Sequence, residues 1–123
     1  MKLDHIQLAM PIGGEETARA FFSGMLGMKE EEKPYPLSER GGVWFRNDGV
    51  ILHLGIEESF MPQRKAHPAF MVHDLEGLAL KLEQEGNVVL WDHALPSRRR
   101  FYTNDPFGNR IELIREGDGF SQK

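Results

Sequence analysis

The 123-residue sequence repeats one pattern of elements twice. Each half begins with a strand pattern, continues with an amphipathic helix that ends at a glycine, and closes with three further strand patterns. The helix-ending glycines are Gly27 and Gly86, and the corresponding turns begin at Asn47 and Asn104, so both pairs are separated by nearly the same length of chain. The repeat predicts an α+β fold of two βαβββ modules whose strands form a curved mixed sheet.

The spacing of apolar residues gives the elements of each half. In the first helix, five apolar residues between Ala18 and Leu26 fall on one face, and Asp74 is the predicted N-cap of the second helix. The predicted strands cover residues 3–10, 28–33, 42–46, 50–56, 66–72, 87–91, 99–103 and 110–115. We therefore expect one domain with module one at about 1–60, a linker at about 61–65, module two at about 66–116, and a polar tail at 117–123.

Three histidines and one glutamate occupy matching places in the repeat. His5 and His67 lie in the predicted first strand of each half, and His53 and Glu112 lie in the last strand of each half. The separation within each of these pairs agrees with the spacing of the repeat to within a few residues. The four residues are therefore candidates for one shared site.

Strand alternation predicts which way these four side chains point. Ile111 and Leu113 flank Glu112, and apolar residues alternate in the same way with the three histidines. Because the apolar face must pack beneath the helices, the candidates lie on the other face and would converge in a cleft between two facing sheets. Imidazole nitrogen together with carboxylate oxygen suits a divalent metal such as Zn, Ni, Co, Mn or Fe.

The sequence also resembles a known family. The chain opens with LDHIQLAMP, its first half ends with VILHLG, its second half opens with AHPAFMVHDLEGL, and NDPFGNRIELI lies near its end. Through these segments it is similar to the vicinal-oxygen-chelate superfamily, which includes glyoxalase I, fosfomycin-resistance thiol transferases, bleomycin-resistance proteins and extradiol dioxygenases. The resemblance spans nearly the whole chain and is most specific at DPFGNRIEL.

This resemblance implies the βαβββ fold, a homodimer and metal ligands at His5, His67 and Glu112. The fourth family position, often glutamate in glyoxalases, is His53 here, which departs from glyoxalase proper. Glu112 is also the predicted catalytic group, since a ligating carboxylate with a tuned pKa can exchange protons.

The composition excludes several classes of function. The sequence contains no cysteine, so disulfides, thiolate metal sites and thiol nucleophiles are absent. A formal net charge of −4 disfavours nucleic-acid binding. The first ten residues lack the apolar run of a signal peptide, and no apolar run is long enough to span a membrane. We expect a cytoplasmic protein whose partners are a small-molecule substrate and a second copy of the chain.

Glyoxalase-like lyase or isomerase chemistry, with a metal that binds two adjacent substrate oxygens, is the leading hypothesis. The set His5, His67 and Glu112 also matches Fe(II) oxygenases, so an extradiol-type dioxygenase is an alternative, as is a fosfomycin-type thiol transferase. A third class is a non-catalytic protein that sequesters a drug or metabolite.

Other residues near the predicted site are not predicted to be metal ligands. Arg100 and Tyr102 share one face of a strand and are tentative contacts for an anionic substrate. Trp44 and Phe45 are interpreted as residues that pack the sheet, and His73 lies off the ligand pattern.

Overall fold

Two four-stranded sheets make up the computed structural model of the protein, which describes residues 1–117. The chain separates into two compact units after Pro62. The predicted polar tail at 117–123 lies outside the described residues, apart from Gly117. No helix within residues 1–117 is long and apolar enough to cross a membrane.

Module one contains four strands and three short helical segments. Its sheet has the strand order β1-β4-β3-β2, in which β1 runs parallel to β4 and the other neighbours are antiparallel. The elements are β1 (Ile6–Met10), α1 (Glu15–Ala18), a π-helix (Arg19–Met25), β2 (Lys29–Glu31), a 3-10 helix (Leu37–Glu39), β3 (Val43–Asn47) and β4 (Val50–Ile56).

Module two repeats the same topology. Its strand order is β5-β8-β7-β6, with β5 parallel to β8 and the other neighbours antiparallel. The elements are β5 (Ala69–Val72), α2 (Leu75–Gln84), β6 (Leu90–Asp92), β7 (Arg100–Asn104) and β8 (Arg110–Arg115). The prediction of an α+β fold built from two βαβββ modules is confirmed.

The strand registers show that the two modules are equivalent in detail. Gln7 on β1 pairs with His53 on β4, and Ala69 on β5 pairs with Glu112 on β8. His5 and His67 each lie two residues before the strand residue that forms this pair. Each module therefore carries one histidine ahead of its first strand and one candidate ligand on its last strand, in matching positions.

The sequence placed His5 and His67 inside strands, and this boundary is wrong. The strands begin at Ile6 and Ala69, after the two histidines. In module two the cause is Pro68, which has no amide hydrogen to donate to a ladder and contributes only its carbonyl, to the amide of Glu112 at 3.0 Å.

The first helix also differs from the predicted regular α-helix. After one α-helical turn the chain widens into the π-helix, where the amide of Leu26 donates to the carbonyl of Phe21 at 3.0 Å, five residues back. In this wider turn the adjacent Phe21 and Phe22 are both buried. Gly27 then ends the helix with a φ of 74°, a backbone conformation that favours glycine.

Each module has its own apolar core between its helix and one face of its sheet. In module one Phe22 packs against Phe45, with ring centroids 5.5 Å apart. In module two Leu75 and Leu82 of α2 are buried, as are Phe101, Ile111 and Leu113 on the strands. The predicted N-cap is confirmed, because the carboxylate of Asp74 accepts a hydrogen bond from the amide of Gly77 at 3.0 Å.

The turn between β7 and β8 is a buried polar network. The carboxylate of Asp105 accepts from the amides of Phe107 and Asn109, both at 2.9 Å, and from Nδ2 of Asn109 at 2.8 Å. Oδ1 of Asn109 accepts from the amide of Gln63 at 3.0 Å. Asp105 and Asn109 are only 3% and 1% exposed, so this turn ties the start of module two to the strand that carries Glu112.

Candidate metal centre

Three rings line up on the sheet face of module one that carries His53. Trp44 on β3 lies directly opposite His53 on β4, and their rings stack with centroids 3.7 Å apart and planes 2° apart. The His5 ring stacks on His53 at 4.2 Å, with planes 23° apart. The parallel register of β1 and β4 brings His5 close to His53, so two of the predicted ligands are in contact.

The surroundings of these two histidines suit metal binding. Nδ1 of His5 lies 2.8 Å from the carboxylate of Asp4, which orients the ring and leaves Nε2 available. His53 is 7% exposed, and burial lowers its pKa below the ordinary value, with His5 contributing to the shift. His53 is therefore neutral at neutral pH, which is the form that binds metals.

Module two brings His67 and Glu112 together. Nε2 of His67 lies 3.0 Å from Oε1 of Glu112, and Nδ1 of His67 lies 2.8 Å from the carbonyl of Lys65. A carbonyl only accepts, so Nδ1 carries a proton and Nε2 faces the carboxylate. The Nε2 lone pair of neutral His67 and Oε1 of Glu112 are therefore the two atoms that would serve as donors to a divalent metal.

Arg100 holds the second oxygen of Glu112. Its Nη1 donates to Oε2 of Glu112 at 3.1 Å, and its Nη2 donates to the carboxylate of Asp92 at 3.3 Å. Burial disfavours the guanidinium charge, but the hydrogen bond to Glu112 and the nearby Asp92 raise the pKa of Arg100. Glu112 is 6% exposed, so this ion pair offsets much of the cost of burying its charge.

Tyr102 lies beside the same pair. It is directly opposite Glu112 in the ladder between β7 and β8, and its ring meets His67 edge to face with centroids 5.3 Å apart. The guanidinium of Arg110 lies over the Tyr102 ring at 4.0 Å. One sheet face of module two thus carries two carboxylates, an imidazole, a phenol and two guanidinium groups.

The donors fit a divalent metal ion in distance and chemistry within each pair. The 3.0 Å between His67 Nε2 and Glu112 Oε1 is close to the distance between neighbouring donors in an octahedral shell with bonds of about 2.1 Å. Nitrogen and carboxylate oxygen also suit the borderline divalent metals. Within residues 1–117, however, no three His, Asp or Glu side chains gather closely enough to hold an ion. The donors fit as two pairs, one in each module.

A family model supplies the identity of the fold. The model of the Glyoxalase/Bleomycin resistance protein/Dioxygenase superfamily matches residues 2–113. The chain belongs to this superfamily. Among curated proteins no relative matches the chain.

Solved structures of the superfamily agree with this membership. A protein from Bacillus anthracis assigned to the glyoxalase family is 45% identical, with 94% of each chain covered and a TM-score of 0.89. A glyoxalase/dioxygenase from Nostoc punctiforme is 22% identical, covering 92% of this chain and 89% of its own, with a TM-score of 0.73. A mutant of FosX, a fosfomycin resistance protein from Listeria monocytogenes, was solved with Mn(II) and 1S,2S-dihydroxypropylphosphonic acid. It is 17% identical, covering 93% of this chain and 91% of its own, with a TM-score of 0.75.

Within this superfamily fold, the predicted ligands are paired but their role stays a prediction. His5 contacts His53 and His67 contacts Glu112, whereas the predicted convergence of all four in one cleft stays a prediction. The substrate roles of Arg100 and Tyr102 also stay predictions, and both terminal nitrogens of Arg100 already bind carboxylates.

The sequence did not identify two neighbours of the site. Nothing in the sequence singles out Asp92, because the short strand β6 gives no register that would set it opposite Arg100. The sequence predicts that Trp44 and Phe45 both pack the sheet; Phe45 is buried in the core, whereas Trp44 stacks on His53.

Proposed function

We propose that this chain is a glyoxalase-like metalloenzyme of lyase or isomerase type. It binds a small substrate through two adjacent oxygens on a divalent metal. The proposed ligands are His5, His53, His67 and Glu112. The observation that supports this most is the pairing of the four donors at equivalent registers of two equivalent modules.

The second support is the orientation of the donors. Metal-binding histidines usually donate their other ring nitrogen to a carboxylate or carbonyl, as His5 does to Asp4 and His67 does to Lys65. FosX was crystallised with Mn(II), one of the metals that this donor set suits.

In the proposed reaction, a bound metal and residues of the chain have separate roles. A bound divalent metal would polarise two adjacent substrate oxygens as a Lewis acid. Glu112 has Oε2 held by Arg100, so Oε1, the oxygen that faces His67, would serve in turn as metal ligand and as the site where a substrate proton is taken and returned. The hydroxyl of Tyr102 has no hydrogen-bond partner among residues 1–117, which favours Tyr102 over Arg100 as the substrate contact.

Metal content and the His53→Ala variant test this function together. Protein purified without added metal should contain a stoichiometric divalent metal by elemental analysis, since sequestering relatives need none. His53→Ala should weaken metal binding by about 10-fold or more and abolish turnover on a panel of small vicinal-oxygen substrates. With His53 as a fourth ligand, about two octahedral positions remain, enough for a bidentate substrate but not for O₂ as well.

Each alternative has its own outcome in these assays. If His53→Ala keeps both metal and activity, and activity requires Fe(II) and O₂, the three-ligand dioxygenase is correct and the proposal is wrong. Thiol-dependent turnover of an epoxide would instead identify a thiol transferase. Metal-free protein that binds a drug tightly would identify a sequestering protein.

We further propose that the protein is a homodimer. The superfamily to which the chain belongs supports this, and a chain of 123 residues leaves much sheet surface for a second copy to cover. The proposed site, with one donor pair from each module, would form either within one chain or between two. Sedimentation at micromolar concentration should show a dimer, and monomer alone would contradict it. Mixing His5→Ala with Glu112→Gln protein then distinguishes the two arrangements, because recovered activity requires a site built from both chains.

A further inference from the structure

His53 is held in a different way from the other two candidate histidines. Nδ1 of His5 has the carboxylate of Asp4, and Nδ1 of His67 has the carbonyl of Lys65, each at 2.8 Å. No hydrogen bond reaches either ring nitrogen of His53 from residues 1–117. Since a ligating imidazole normally needs an orienting partner, something else must fix the plane of this ring.

The ring of His53 lies between two other rings. Trp44 covers one side at 3.7 Å in a nearly parallel stack, and His5 contacts it at 4.2 Å. The antiparallel register of β3 and β4 sets Trp44 directly opposite His53, so backbone hydrogen bonds impose the stack. The neighbouring Phe45 points the other way into the core and is fully buried, so Trp44 is not needed there.

A stacked ring can fix the plane of a metal-binding imidazole for a chemical reason. The lone pair of an imidazole nitrogen lies in the plane of the ring, so a metal approaches along the edge. A partner on the face fixes that plane while leaving both nitrogens accessible. Metal binding also withdraws electrons from the imidazole, which strengthens its attraction to the electron-rich indole.

We infer that Trp44 is the positioning residue of His53 and does through its ring face what a hydrogen bond does for His5 and His67. The inference rests on the proposed function in one respect, that His53 binds the metal. It predicts that the site loses metal affinity when the indole is removed, although Trp44 contributes no donor atom.

Metal affinity in matched tryptophan variants tests this inference. Trp44→Leu should raise the metal dissociation constant, measured by chelator competition, by about 10-fold, the lower end of the effect of removing an orienting partner. Trp44→Phe, which keeps a ring, should recover most of the affinity. The control is Trp91→Leu, which removes the other indole. Because Trp91 packs on Phe101 in module two, this change should leave the metal dissociation constant unchanged.

Tryptophan fluorescence gives a measurement that depends neither on turnover nor on the folding of Trp44→Leu protein. In Trp91→Phe protein, where Trp44 is the sole indole, Co²⁺ should quench the emission in step with binding. The added change His53→Ala should shift this quenching to an about 10-fold or more higher Co²⁺ concentration. Saturating Co²⁺ without any change in Trp44 emission would overturn the inference.

The outcomes separate the inference from the proposed function. If His53→Ala weakens metal binding but Trp44→Leu does not, the inference is wrong and the ligand set stands. If neither change affects the dissociation constant, His53 is not a ligand and both fail.

Discussion

Glu112→Gln should produce a folded protein that no longer holds stoichiometric metal and no longer turns over substrate. The amide keeps the shape of the side chain and an oxygen that can accept from Arg100, so the buried guanidinium retains a partner. What is lost is the negative charge that faces Nε2 of His67. Because a ligand is removed and not merely its support, we expect the metal dissociation constant to rise by about 100-fold or more.

Calorimetric titration with Mn²⁺ or Co²⁺ measures this loss, and circular dichroism checks that the variant folds. The matched control is Glu116→Gln, since Glu116 is an exposed glutamate that pairs only loosely with His73, at 3.5 Å. The control should bind metal as the unchanged protein does. Full metal occupancy in Glu112→Gln protein would remove Glu112 from the ligand set.

The repeat made most of the fold predictable. Helix-ending glycines and turn residues recur at nearly constant spacing because each module needs the same backbone conformations at the same points. The predicted bounds of β4 and β8, at residues 50–56 and 110–115, agree with the structure because both strands alternate strongly and are bounded by turns. The π-helix was not predictable, because helical periodicity does not distinguish it from an α-helix.

The pairing at the site was predictable in part. The turn at Asn47-Asp48-Gly49 fixes the hairpin of β3 and β4, and counting outward from it places Trp44 opposite His53. That signal is present in the sequence itself. The contacts of Arg100 with Glu112 and Asp92 depend on side-chain conformations across three strands, which spacing alone does not give.

A second large effect is expected at the turn that carries the most specific family segment. Asp105→Ala should lower the free energy of unfolding by about 3 kcal/mol, because it removes the carboxylate that accepts from the amides of Phe107 and Asn109 and from Nδ2 of Asn109. Urea denaturation at about 25 °C measures this loss. The control is Asn104→Ala, one residue earlier and exposed, which should change stability by less than about 0.5 kcal/mol.

The pH dependence of this loss follows from the charge of Asp105. Burial raises the pKa of Asp105 above its ordinary value, while hydrogen bonds from Asn109 oppose the shift. A raised pKa in the folded state means that ionised Asp105 carries a cost at neutral pH. The stability difference between the unchanged protein and Asp105→Ala should therefore grow as the pH falls through the raised pKa, and level off below the ordinary value of 3.8. A difference that shrinks over this range would contradict the raised pKa of Asp105. A loss below about 1 kcal/mol at neutral pH would contradict a mainly structural role for the turn. If that loss is so small, the DPFGNRIEL segment would be required for the site that includes Glu112 and not for stability.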